Sequence, residues 1–556
     1  MRVVVVDRRD GSGVLQPLHD DDAPAGPPEP TDDLATAIAR REEAEHPRWV
    51  WADTADTYPL LVEAGIRVEQ VHDLALTEAT VLGHAGRWGA PRSLAAAWAR
   101  AHGGAEPADR AQRLDRTGQQ PLFDAVGDGL PAGVDPLEAA IAVHAAQRRW
   151  IRAPEPHPAY ESTPVSPRSL DLLVAADSAG ALAAVEMSHA GLPWRPDVHD
   201  RLLTDALGPR PTHGARPAKL QALADEVAAA LATPYLNPDS PAEVVRAFGR
   251  AGVTVTSTRA HVLREIDHPA IAPLLSYKAL VRLHTAHGWA WRDTWVRDGR
   301  FHPEYVPAGV VSGRWASRGG GALQIPRVVR GAVVADPGCV LVVADAQQLE
   351  PRVLAALAAD PDMTQAAAEG DLYAGLAAQA FGGDRAQAKV GLLSAMYGGS
   401  SPALATLTRR YPAALALVEA AARTGEAGGM VRSVLGRTSP PPGPGQDDLG
   451  EQQALRRARD WGRFTRNFLI QASAADWAAV LLALLRRRLA VIADGAAELV
   501  FFQHDEVVVH GPAGSGDDVA RAVTEAAEEA TRLVFGATPV RLPLTTAVVA
   551  DYAAAK

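Results

Sequence analysis

A single cysteine, Cys339, stands among 556 residues. One thiol can build neither a disulfide framework nor a cysteine zinc site, and a reducing, cytoplasmic compartment is expected. Aromatic residues are scarce, at 5%. No unbroken apolar run reaches the roughly 18 residues that a membrane span needs, so no membrane partner is expected. The opening MRVVVVDRRDG has an apolar run too short for a signal peptide and no small-residue cleavage site. What the chain has in abundance is alanine and arginine, with 47% of residues apolar. Alanine is the best helix former, so a soluble, helix-rich protein is expected. The length exceeds what one compact core accommodates and predicts three or four domains.

The net charge of -11 argues against a polyanionic partner, but the charges are unevenly spread. Residues 277–330 hold nine Lys or Arg against three Asp or Glu, and Arg456, Arg457, Arg459, Arg463 and Arg466 form a second basic cluster. Acidic residues gather elsewhere, at positions 20–22 and 517–529. Basic strips on an acidic protein suit a local phosphate track. Solvated helix faces explain the same charges equally well.

Along the chain, residues 1–150 mix short strand-like runs (VVVV, WVW) with alanine-rich helical stretches. Residues 153–168, APEPHPAYESTPVSPR, contain five prolines and predict a linker. A mostly helical part follows to about residue 296. The run CVLVVAD then has the pattern of a buried strand ending in Asp345, and LEPRVLAALAADPDM predicts a helix starting near Pro351. Helical sequence continues to about residue 423, the proline-rich segment 439–450 breaks it, and helices resume over 451–489. ELVFF and VVVH flanking QHDE predict a β-hairpin.

Two acidic sites thus sit at strand ends, about 160 positions apart: Asp345, and Asp505 with Glu506. Carboxylates at strand ends can converge above a sheet, and hard divalent ions such as magnesium prefer such oxygens together with substrate phosphates. Two ions roughly 3.5–4 Å apart can clamp the attacking and leaving oxygens of an in-line displacement. An Asp after a strand is more often a turn or cap residue. In GDRAQAKVGLLSAMYGG, Asp384 is a good N-cap. Arg385, Lys389, Leu393 and Tyr397 share one face at four-residue spacing, an arrangement that suits a nucleoside triphosphate. An ordinary amphipathic helix gives that pattern too. Arg463, Asn467 and Gln471 repeat the spacing and could hydrogen-bond a nucleic-acid strand.

In this order the motifs resemble family A DNA polymerases of the DNA polymerase I type. VVADAQQLEPRVLAAL resembles the family's DYSQIELRVLAHL, which places Asp345 on the metal-binding Asp, Glu350 on the residue that blocks a ribose 2′-hydroxyl, and Arg352 on the following Arg. RAQAKVGLLSAMYGG resembles the fingers helix, matching at Arg385, Lys389, Tyr397 and Gly398. QHDEVVV resembles the third motif, with Asp505 as second metal ligand and His504 and Glu506 beside it. SGRWASRGGGALQIP resembles TGRLSSxxPNLQNIP and implies that Arg314 lies near the primer and nucleotide. RFTRNFLIQASAADW resembles RxAxNxPxQGTAAD, implying a template–primer role for Arg463, Asn467 and Gln471. LAAVEMSHAG and LLSYKALVRLHTAHG are similar to the segments that open the polymerase region and return the thumb to the palm. The likeness runs from about residue 170 to the end. Ala346, Pro351, Leu393 and Ser394 depart from it, replacing an aromatic, a leucine, a Phe or Tyr, and a glycine.

Residues 1–150 resemble the 3′–5′ exonuclease domain of the same family, through WADTADTYPLLVEAGI, VHDLALTEATVL and APRSLAAAWAR. That nuclease needs four acidic ligands. Here Asp7 is followed by Arg9 where a Glu is expected, Thr57 with Asp56 beside it occupies the second site, and Ala139 stands at the last. The resemblance implies an α/β multidomain chain: a ribonuclease H-like, exonuclease-like domain at 1–155, expected to be degenerate; a linker at 156–169; and a right-hand polymerase. Its palm start and thumb fall at 170–300, palm at 301–360, fingers and helices at 361–478, and the palm with the catalytic hairpin at 479–556. It implies extension of a primer 3′ end in replication or repair. The expected cofactor is two Mg2+ ions, with Mn2+ able to substitute. The expected partners are primer–template DNA and deoxynucleoside triphosphates, bound by a monomer. A bifunctional enzyme with a working proofreading site and a non-catalytic DNA-binding homologue are the alternatives.

Overall fold

The four valines at positions 3–6 are β-branched and favour the pleated strand β1 (Arg2–Asp7). In the computed structural model, which describes residues 1–109, 129–154, 169–212, 214–318, 324–368, 370–399, 401–443 and 450–555, β1 lies at the centre of a five-stranded sheet. Its companions are β2 (Gly13–Leu18), β3 (Glu29–Thr31), β4 (Arg48–Trp51) and β5 (Gln70–Asp73), in the order β3-β2-β1-β4-β5. β1 runs antiparallel to β2 and parallel to β4, and β5 is parallel to β4. Side chains alternate along these strands. Val3, Val5, Trp49 and Trp51 enter one core with the helices Leu34–Glu45 and Thr54–Glu63, whereas Val4 and Val50 enter another with Leu74, Ala97 and Leu137. The expected linker at 156–169 lies, apart from Ser169, outside the described residues, as does part of the proline-rich loop 439–450.

The helix Leu170–Ala190 packs Leu182 and Val185 into the first of those cores and Leu173, Ala176 and Met187 into the largest core of the molecule. An ionic knot secures this junction. Arg486 donates to Glu186 at 2.8 and 2.6 Å and to the carbonyls of Val68 and Glu69, and the Tyr58 hydroxyl donates to Glu186 at 2.5 Å. A smaller helical cluster forms around Val227, Phe248, Leu263 and Leu274.

The second major sheet is antiparallel, with the strands Glu498–Gln503, Glu506–Pro512, Cys339–Ala346 and Leu544–Val549 side by side in that order. Val342, Ala344, Val507 and Val509 face the large core, and Leu341, Val343 and Val508 face a second core containing Trp194, Phe301 and Tyr552. The large core is built on one 39-residue helix, Glu451–Leu489. By length and composition an 18-residue window of it could cross a membrane, although polar residues interrupt its apolar runs; 83% of that window is buried in the protein, so it is a core helix here.

The helix expected to begin near Pro351 spans Leu349–Ala358 and stops earlier than its apolar pattern suggests. Ala359 is in the left-handed region (φ 49°), and Asp360 accepts the Met363 and Ala413 N–H groups, so the chain turns into a separate helix, Pro361–Ala368. The strand Leu544–Val549 has no counterpart among the expected elements; its LTTAVV is half-buried and mixed in polarity.

Candidate active site

Strand register brings the two acidic sites together. Asp345 lies directly opposite Glu506, and the N–H of Ala346 donates to the Asp505 carbonyl at 2.8 Å. Between the hairpin strands His504 takes a left-handed conformation (φ 56°), and the Asp505 N–H folds back onto the Gln503 carbonyl at 2.6 Å. This tight turn holds Asp505 beside the end of the Asp345 strand. Both aspartates are half-buried, whereas Glu506 is 3% exposed and accepts the hydroxyl of Tyr552. Burial, and then the negative charge of Glu506, push the Tyr552 hydroxyl above its ordinary range. Arg330 lies 4.7 Å over the Tyr552 ring. The donor set at the sheet end is carboxylate oxygen, which suits a hard divalent ion and not a soft one.

A cleft of about 210 Å³ opens next to Asp505, lined also by Arg314, Gln348, Glu350, His504 and the small side chains of Ala474 and Ala475 on the long helix. Glu350 is the polar centre of its wall. It pairs with the Arg314 guanidinium and accepts the Tyr397 hydroxyl. Burial and then Glu350 raise the Tyr397 phenol. Burial and then Arg314 lower the His504 imidazole, with Glu350 opposing them, which favours its neutral form.

Tyr397 ends the helix Arg385–Tyr397, which Asp384 caps by accepting the Gln387 N–H and Gly398 closes at φ 72°. A Cβ on Gly398 would come 2.8 Å from the Arg463 stem, so glycine is what lets this end meet the long helix. Lys389 sits two turns before Tyr397, about 12 Å along the axis. It is exposed, with no ion-pair partner among the described residues. Arg385 is otherwise engaged, bonded to Asp371 at 2.8 Å and lying 5.5 Å over the Tyr373 ring. Leu393, four residues after Lys389 and four before Tyr397 on the helix, is half-buried.

On the long helix, Arg463 is exposed and Asn467 and Gln471 are half-buried, while residues 472–482 are buried on every side. The three therefore share the open face of a core helix. Arg463 pairs with Asp460. Arg352 faces away from the cleft: only 1% exposed, it donates to the carbonyls of Gln347, Ala367, Gly370 and Arg541. It braces the first motif and does not line the site. Sequence reasoning missed Tyr552 and Asp371. Asp371 accepts from Gln348 at 2.7 Å as well as from Arg385, linking the first motif to the Arg385 helix. Its only sequence signal is that of a helix cap, a role it also has.

In the N-terminal sheet Asp7 accepts the Arg9 N–H at 2.7 Å, and the Arg9 guanidinium stands 3.8 Å from Asp56. Asp53 and Asp73 act as helix caps, accepting the N–H groups of Ala55 and of Thr54 and Leu76. Burial and the neighbouring Asp73 push the Asp53 carboxyl up to about 7.

Comparison with known proteins fits this geometry. DNA polymerase I of Chloroflexus aurantiacus is 28% identical over 303 residues, 48% of this chain and 31% of that protein. The thermostable DNA polymerase I of Thermus thermophilus is 27% identical over 330 residues, 52% of this chain and 37% of that protein. The chain thus spans about a third of the length of the curated relatives it matches. Among solved structures, the POL domain of Pol1 from M. smegmatis, in complex with DNA primer-template and dNTP, shares the fold. Its TM-score is 0.69 at 18% identity, covering 100% of this chain and 95% of that one. Residues 217–552 match DNA polymerase family A, and the chain belongs to that family.

Proposed function

We propose that the protein is a template-directed DNA polymerase that adds deoxynucleotides to a primer 3′ end. The observation carrying this is the convergence of Asp345 and Asp505 at one sheet end beside the Glu350 cleft. On this reading the antiparallel sheet is the palm, the Arg385–Tyr397 helix belongs to the fingers, and the helical cluster around Phe248 to the thumb.

Asp345 and Asp505 would hold two magnesium ions, with manganese as substitute. When bound, these ions stabilise the attacking 3′-oxygen and the leaving pyrophosphate oxygen. The chain's own groups do the rest. Lys389 offsets triphosphate charge from the exposed helix face. Arg385 joins it on release from Asp371. Leu393 and Tyr397 border the sugar and base. Arg314 donates hydrogen bonds at the primer terminus, and His504 borders the incoming nucleotide. The Arg463, Asn467 and Gln471 face follows the template strand. The lone cysteine is in keeping with a reducing, cytoplasmic compartment, and on this reading the protein acts as a monomer in replication or repair.

Glu350, fixed by two donors in the cleft wall, occupies the room a 2′-hydroxyl would need. Glu350→Ala is expected to lower discrimination against ribonucleotides by about tenfold or more, roughly 1.4 kcal/mol. Single-nucleotide incorporation with matched deoxy- and ribonucleotides measures it; an unchanged ratio assigns the gate elsewhere.

The sheet order of the N-terminal part supports a ribonuclease H-like, exonuclease-derived domain. Its candidate carboxylates are engaged by Arg9 or used as helix caps. This domain is a support, fastened through Tyr58 and through Trp88, which donates to the Thr438 carbonyl at 3.1 Å. A mismatched, 5′-labelled primer incubated with magnesium or manganese and no nucleotides is expected to keep its length. Shortening that disappears in an Asp7→Ala, Asp56→Ala double variant would make the protein bifunctional instead.

The test of the function as a whole is primer extension with magnesium and a dideoxy-terminated control. Extension is expected with the free 3′-hydroxyl only. Duplex binding without product would leave a binding module, and shortening a nuclease.

A further inference from the structure

Arg437 is 5% exposed and belongs to none of the motifs named above. Its guanidinium bridges two helices. Nη2 donates to both oxygens of Asp177 at 2.8 and 3.0 Å, and Nε donates to Asp476 at 3.1 Å. Asp476 also accepts the Leu435 N–H at 3.3 Å, and the Ser433 hydroxyl accepts the Arg437 N–H at 2.9 Å. The planar fork is therefore fixed through two of its nitrogens, Nη2 and Nε.

One face of that fork carries a turn of the candidate active site. Gly313, at φ 81°, rests on it so closely that a Cβ would stand 2.2 Å from Nε and 2.5 Å from the central carbon. No side chain fits between this backbone and the guanidinium. The turn is closed by the Gly313 N–H donating to Val310 at 2.7 Å and the Val310 N–H donating to Arg314 at 3.1 Å. Its last residue, Arg314, reaches Glu350, which also receives the Tyr397 hydroxyl. On the other side Trp315 packs edge-on to Phe502, with ring centroids 5.1 Å apart.

We propose that Arg437 is a positioning residue for Arg314: its guanidinium is the floor on which the Gly313 turn is set, and through it the Arg314–Glu350 pair. This rests on the polymerase reading of the cleft. A buried ion triad that served stability alone would have no reason to lie flat against that glycine. Loss of the fork is expected to free Arg314 and leave Glu350 held by Tyr397 only.

The test is a double-mutant cycle in primer extension, paired with hydrogen exchange. Arg437→Lys keeps the charge but loses the plane. It is expected to lower kcat by about tenfold or more in the wild-type background, yet by less than about twofold in an Arg314→Ala background, the non-additivity of residues acting through one contact. Amides of residues 310–314 should exchange faster in Arg437→Lys while the long helix Glu451–Leu489 keeps its protection. Gly313→Ala, whose Cβ must displace the turn, runs the same cycle should Arg437→Lys fail to melt cooperatively. Additive losses, an unchanged kcat, or unchanged exchange over 310–314 would overturn the proposal. Should the wild-type protein not extend primers, the polymerase reading falls, and the exchange comparison alone decides whether Arg437 sets the turn.

Discussion

Asp345→Asn is expected to reduce primer extension by about 10³-fold or more, close to 4 kcal/mol of lost transition-state stabilisation. The carboxamide has the size and shape of the carboxylate. The strand Cys339–Ala346 keeps its full register with both neighbours, because those bonds are made by backbone. Folding and duplex affinity should therefore hardly change, while the negative oxygen that would ligate a divalent ion is lost. Asp505→Asn is expected to behave alike. Its side chain sits in a turn held by backbone contacts from Gln503 and Ala346. Pre-steady-state single-nucleotide extension, with melting temperature and duplex Kd measured alongside, checks both. A variant within about tenfold of wild type would show that the carboxylate is not a metal ligand for the reaction.

Lys389→Ala is expected to lower kcat/KM for the incoming deoxynucleotide by about 10²-fold, roughly 2.7 kcal/mol, the scale of losing one charged donor to a transition-state oxyanion. The side chain is exposed, so stability should hardly fall. Its neighbour differs. Arg385 starts in a bond to Asp371 and above the Tyr373 ring, so part of its interaction with phosphate is offset by what it must leave. Arg385→Ala should accordingly cost less than Lys389→Ala. Nucleotide titrations at saturating duplex separate the two. A fall in duplex affinity with unchanged nucleotide kinetics would assign this face to DNA instead.

Much of the candidate site could be read in advance because its chemistry sits where local patterns change. CVLVVAD and QHDEVVV are apolar strands that end abruptly in carboxylates, and a strand end is a place where side chains can converge. The four-residue spacing of Arg385, Lys389, Leu393 and Tyr397 likewise marks one helix face without tertiary information. What could not be read is what distant segments do to one another. Arg385 looks like a free cation until the Asp371 helix is folded beside it. Arg352 belongs to a motif yet spends its donors on four buried carbonyls. The Arg486–Glu186–Tyr58 knot joins residues hundreds of positions apart and follows no local period. The strand Leu544–Val549 escaped because its side chains are half-exposed, and it forms only against a partner already in place.

Template direction is the central claim, and one measurement addresses it most directly. Four primer–templates differing only in the first unpaired template base are each offered one of the four deoxynucleotides with magnesium. The expected result is a one-nucleotide product only for the Watson–Crick partner on each template, lost in Asp345→Asn. The contradicting result is no product from any of the sixteen pairings, or addition that ignores the template base.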